Sequence, residues 1–94
     1  MYEGILLRMR ACIGAGKFFI TPHALVAIEQ DLLTSADVIT CILAGEIVER
    51  QKDRKSGEYK YVIAGQAEDG SEIEVIAKLH KVGDVYVITV YRIY

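Results

Sequence analysis

The sequence predicts an α+β domain, with helices in its N-terminal half and strands in its C-terminal half. Two helix-start signals stand in tandem, at Thr21-Pro22 and at Thr34-x-x-Asp37. From Glu46 onward the chain turns to β-branched and aromatic residues, and turn residues divide that run into hairpin-length pieces. Ninety-four residues with no linker, repeat or low-complexity tract read as a single domain, 1–94.

The elements follow in order. Over Ile5 to Ala15, a helical stripe carries Ile5, Met9, Cys12 and Ile13, with Arg8 outside it and Gly14 and Gly16 as terminators. Lys17 to Ile20 read as a brief extended segment. Thr21 supplies a capping hydroxyl and Pro22 the first helical position, and the second helix then turns Ala24, Leu25, Ile28 and Leu32 inward. Thr34 and Asp37 form a capping box for a third helix that buries Val38, Cys41 and Ile42, with Gly45 as its left-handed terminator. Strands are expected over Glu46–Lys52, Glu58–Ala64, Glu72–His80 and Asp84–Ile93. Their turns fall at Asp53 to Gly57, Asp69-Gly70 and Val82-Gly83. Such short connections predict a four-stranded, mostly antiparallel sheet with the helices packed on one face.

Register decides which side chains share a face. Setting His80 opposite Asp84 places Ile73, Val75, Ala77, Leu79, Val85, Val87, Thr89 and Tyr91 together on the core face. Glu72, Glu74, Lys78, His80, Tyr86 and Arg92 then fall on the other face, beside Ile76, Ile88 and Val90. A two-residue turn at Asp69-Gly70 adds Tyr59, Tyr61 and Ile63 to that second face, whereas a one-residue slip sends the tyrosines inward.

Composition narrows the function classes. The net charge is −2, so nucleic acid binding would rest on a local patch and not on a basic whole. A mean hydropathy of +0.24 is high for a chain this small and predicts a covered apolar surface, with a homodimer as the expected form. Cys12 and Cys41 occupy apolar helix positions and read as reduced, buried thiols. Arg8 and Arg10 interrupt the N-terminal apolar run, so no signal peptide or membrane span is expected and the cytoplasm is the default location. Gly-Ala-Gly at 14–16 lacks the rest of a phosphate loop, and no nucleophile elbow, cofactor motif or metal-ligand spacing is present.

Three fragments, in order, carry a family likeness: ITPHA at Ile20 to Ala24, LAGEIVE at Leu43 to Glu49, and VITVY at Val87 to Tyr91. From about Ile5 to Tyr91 the chain resembles a bacterial domain family of unknown function with an HAxxRMxxRGI-type segment. That family is grouped with the RelE-like and MqsR-like ribonuclease toxins. Where its pattern has two arginines and a glycine, this chain has Ala27, Asp31 and Leu32. The resemblance implies a RelE-like or barnase-like toxin architecture, an RNA substrate and an antitoxin protein as partner, with no cofactor.

Metal-free RNA cleavage needs a base for the 2′-hydroxyl, an acid for the leaving oxygen, and cations for the phosphorane-like transition state. Histidine is the side-chain type that can exchange a proton near neutral pH, and His23 lies at a helix start, where free amides attract anions. Lys78, His80 and Arg92 offer charge and a second acid or base, and Tyr91 a hydroxyl. Each has a plainer reading: a helix-start imidazole bonding a carbonyl, a turn-side histidine, a cross-strand Glu72–Arg92 pair. The competing hypothesis is a noncatalytic protein-binding or homodimerisation module on the same fold.

Overall fold

A computed structural model describes residues 2–80 and 83–94. The element order is α1 (Glu3–Gly14), β1 (Phe18–Ile20), α2 (Pro22–Gln30), α3 (Ser35–Ala44), β2 (Glu46–Lys52), β3 (Tyr59–Gln66), β4 (Glu72–Leu79) and β5 (Val85–Arg92). The architecture is α+β, but the sheet has five strands, in the order β1-β5-β4-β3-β2. The additional strand is the extended segment before Thr21, which pairs parallel to β5 with Phe19 opposite Tyr86. The other pairings are antiparallel. The β4–β5 turn includes Lys81 and Val82, which lie outside the described residues. His80 nevertheless faces Asp84 as expected, its N–H donating to the Asp84 carbonyl at 2.8 Å.

One apolar cluster joins all three helices to one sheet face. Leu6 and Met9 of α1, Ala24 and Ile28 of α2, and Val38, Cys41 and Ile42 of α3 meet Ile63, Val75, Val85 and Val87 there. Val62 is also buried but stands outside that cluster, because it points to the opposite sheet face.

Two corrections to register follow. In the β3–β4 hairpin Tyr61 pairs with Ala77 and Ile63 with Val75, one residue from the register of a two-residue turn. The loop runs from Ala67 to Ser71, closed by a bond from the Ala67 N–H to the Ser71 carbonyl. Tyr61 and Ile63 therefore enter the core. In the β4–β5 pair a bulge falls between Ile76 and Ala77, which face Thr89 and Val87. Ile88 is the extra residue, so alternation reverses beyond it. Val90 is buried, whereas Thr89 and Tyr91, expected inside, lie on the outer face.

Helix ends account for three further features. Gly16, with φ 76°, closes α1: its N–H reaches the Ile13 carbonyl and that of Lys17 reaches Cys12, a Schellman motif. The same pattern closes α2, with Leu32 N–H to Glu29 and Leu33 N–H to Ile28. Here the left-handed position is Leu32, at φ 54° and 86% exposed, so Leu33 and not Leu32 enters the core. Gly45 is extended (φ −86°, ψ −163°) and not left-handed. It is required for proximity, since a Cβ there would lie 2.4 Å from the Ala64 carbonyl oxygen.

The α3 start matches its capping box, with Thr34 and Asp37 exchanging backbone-to-side-chain bonds of 2.9 and 3.2 Å. The second Asp37 oxygen accepts from the Glu68 N–H at 2.9 Å, tying α3 to the β3–β4 loop. Burial by itself raises this carboxyl's pKa, but the Glu68 and Thr34 bonds outweigh it and hold it below the ordinary 3.8. Cys41 is a buried thiol pushed up to about 12 by burial and then by Glu74, and Cys12 is a half-buried free thiol.

Two outcomes test these local readings. A left-handed leucine costs about 1–2 kcal/mol, so Leu32→Gly is expected to stabilise the fold by about 0.5–1 kcal/mol in thermal unfolding. Because the folded pKa of Asp37 is depressed, its contribution is complete above the unfolded value near 3.8 and is lost as pH falls through the folded one. Asp37→Asn is expected to lower stability at neutral pH and to flatten the decline below pH 3.8 in denaturant titrations.

Candidate functional site

The start of α2 is set by Thr21. Its backbone N–H donates to the Val87 carbonyl, its hydroxyl oxygen accepts from the Ala24 N–H at 3.2 Å, and its hydroxyl donates to the Ile88 carbonyl at 3.3 Å. This joint leaves His23 exposed on the first turn. The imidazole borders a hollow of about 230 Å³ shared with Ala27, Gln30, Asp31, Thr89 and Tyr91, which no lysine or arginine lines. The Tyr91 hydroxyl donates to Glu74 Oε1 at 2.5 Å; that bond, then burial, then the charges of Glu74 and Glu49 raise its pKa to about 12.

Arg92 lies at the far end of the same helix. Its Nε and Nη2 donate to the carbonyls of Asp31 (2.8 Å) and Leu32 (3.3 Å), and its Nη1 to Ser71 Oγ (2.7 Å). Asp31 returns the contact, accepting the Arg92 backbone N–H at 2.9 Å. Arg92 is thus the cationic cap of α2, where a positive group complements the helix C-terminus. Arg10 does the same for α3, donating to the Ile42 and Gly45 carbonyls at 2.9 and 2.8 Å.

Lys78 and His80 stand together elsewhere. Lys78 Nζ lies 3.5 Å from Glu58 Oε1 and 3.7 Å from Asp53 Oδ2. His80 packs edge-on to Tyr86 at 5.7 Å, and Tyr86 stacks on Phe19 at 5.3 Å. The His80 Nδ1 is buried without a hydrogen-bond partner. A groove of about 390 Å³ is lined by Thr21, Glu58, Lys78, His80, Tyr86 and Ile88. A second hollow, about 350 Å³, lies among Arg8, Ser56 to Tyr59, Tyr61, Leu79 and His80. Glu58 and His80 line both.

The four residues singled out from the sequence therefore divide. Lys78 and His80 share a groove, His23 borders another hollow, and Arg92 is bound to a helix end. His23 sits beside Thr89 to Tyr91 and His80 opposite Asp84, roughly 15–20 Å apart along β5 at strand rise. Glu58 and Arg8 are the additions. Glu58 reads in sequence only as the first residue of a strand, and only the fold carries β4 back beside it.

Charge follows the same polarity. Lys52, Arg54, Lys55, Lys60 and Lys78 gather where β2 ends, β3 begins and β4 ends, with Arg8 above them, and outnumber Asp53 and Glu58, which pair with Lys78 there. Glu46, Glu68, Asp69, Glu72 and Glu74 gather at the opposite end of those strands. A chain of net charge −2 thus has a basic pole and an acidic pole.

Fold and site define a small α+β domain: three helices on one face of a mixed five-stranded sheet, with a groove lined by Glu58, Lys78 and His80 at its basic end. A family model described as a domain of unknown function, DUF4258, matches residues 20–92, and the chain belongs to that family. Helix α1, which supplies Arg8 and Arg10, precedes the matched stretch. Searches of curated proteins and of solved structures find no match. None of the helices described is long and apolar enough to cross a membrane.

A capping role for Arg92 has a measurable consequence. Arg92→Ala is expected to lower stability by about 2 kcal/mol in chemical denaturation, the usual range for bonds from a charged donor. Arg92→Lys would recover only part, because a single ammonium cannot span the Asp31, Leu32 and Ser71 acceptors.

Proposed function

We propose that this chain is a toxin-like ribonuclease that cleaves RNA without a metal, using Glu58 and His80 in the groove at its basic pole. The observation that carries the reading is that one carboxylate and one imidazole line both hollows there, beside Lys78 and Arg8. Glu58 takes the proton of the 2′-hydroxyl as that oxygen attacks phosphorus. His80 gives its proton to the 5′-oxygen as the P–O5′ bond breaks, leaving a 2′,3′-cyclic phosphate and a free 5′-hydroxyl. Lys78 and Arg8 offset the charge that develops on the non-bridging oxygens. Tyr86 and Phe19 offer ring faces for a neighbouring base. The resemblance to RelE-like and MqsR-like toxins supports the same reading and adds an antitoxin protein as the expected restraint, in a cytoplasmic setting.

His23 takes no chemical role here, since the hollow it borders lacks a cation. The alternative, a noncatalytic binding or homodimerisation module, draws support from the sheet face opposite the core, where Ile76 and Thr89 are half-buried and Tyr91 is exposed.

Purified protein in chelator is expected to cut single-stranded RNA to cyclic-phosphate ends. His80→Ala and Glu58→Gln are each expected to lower the rate by at least about 100-fold, with His23→Ala close to wild type and all three folded by circular dichroism. Absence of cleavage, or loss of it on His23→Ala alone, overturns the reading.

A further inference from the structure

The sheet face away from the helices is graded along the strands. One end carries Glu72 and Glu74, with Tyr91 opposite Glu74. The middle row, Thr89, Ile76 and Val62, is uncharged across three strands, with Glu49 only at its β2 edge. The other end carries Lys78 and Tyr86, facing one another across β4 and β5, with Glu58 and Asp53 of the β2–β3 hairpin paired to Lys78. Acid, apolar centre and base in sequence form a surface complementary to itself when turned end for end.

We propose that a second copy of this chain docks on that face, related by a two-fold axis running along the Thr89–Ile76–Val62 row. A rotation about that axis lays β4 of one copy antiparallel over β4 of the other. Lys78 of each copy, beside its own Glu58 and Asp53, then meets Glu74 of its mate, Tyr86 meets Tyr91, and Ile76 and Thr89 close the centre beside the buried Val62. The contact is isologous, so every pair occurs twice and the arrangement closes at two copies. Two sheets stacked in this way lie about 10 Å apart with side chains interleaved.

Area and the sheet edges favour this mode. Four strands at about 4.8 Å spacing and about 25 Å length present roughly 500 Å² per copy, or about 1,000 Å² in the pair, the lower limit of a specific interface. Pairing by sheet extension is blocked at both edges. Strand β1 has three residues, and β2 carries a bulge between Ile47 and Glu49 among charged side chains, both devices that keep an edge unpaired. The face that stacks also contains the Lys78–His80 groove, so a docked copy and an RNA strand exclude one another.

Light scattering and sedimentation across a concentration series test the pairing without reference to RNA cleavage. The wild-type chain is expected to pass from monomer to dimer. Lys78→Glu and Glu74→Lys are each expected to weaken the dimer by about tenfold or more, the usual coupling of a close interfacial ion pair. The double variant K78E/E74K reverses both charges and is expected to restore the dimer. Thr89→Arg places a charge in the central row and is expected to give a folded monomer. A wild-type monomer at every concentration, single variants that dimerise normally, or a double variant as weak as the singles overturns the proposal. If the dimer behaves as expected while RNA stays intact, only the nuclease reading fails.

Discussion

Thr21 is the joint on which the arrangement of this domain depends. Its three bonds hold the end of a parallel strand, the first turn of α2 and the bulged carbonyl of Ile88 in one place. Proline at the next position is already set for a helix, so the chain leaves the sheet edge and enters α2 without an intervening loop. At the other end of α2, Arg92 and Asp31 bind each other's elements across 61 residues of sequence. The helix is therefore clamped to β5 at both ends, and the part of β5 beyond β1 has its edge occupied by α2 instead of by another strand.

Most local signals in the sequence held, although Gly45 ends α3 extended instead of left-handed and Leu32 leaves the core face of α2. The Thr34–Asp37 capping box, the Thr21-Pro22 start and the glycine terminator of α1 involve residues a few positions apart, and all three form. Pairing was less legible. The extended segment at Lys17 to Ile20 is visible in sequence, but its parallel partner depends on a crossover through α2, α3 and three strands. The bulge at Ile88 has no composition signature, since Ile88 continues the alternating run. Its carbonyl accepts from the Thr21 hydroxyl, 67 residues away.

The candidate site shows the same division. A histidine at a helix start and a lysine–histidine pair near a turn were visible as residue types. Their separation was not, because it follows from which end of β5 each element meets. Glu58 and Arg8 were hidden for the complementary reason: a carboxylate at a strand start and an arginine on the exposed side of a helix look like ordinary solvated groups. Arg92 resembled a free cation only while its distant acceptors were unknown. The position at which the family pattern carries an arginine is here Asp31, whose bond to the Arg92 backbone builds it into the fold.

The extra residue in β5 also divides that strand into two phases. Before it, odd-numbered positions face the helices; after it, even-numbered ones do. The fragment Val87 to Tyr91 straddles the change, so a relative lacking the insertion would present the opposite set of side chains to solvent from an almost identical string of letters. Comparison of relatives across this stretch should therefore follow the fold rather than the alphabet, and a one-residue gap there would exchange inside for outside over the remainder of the strand.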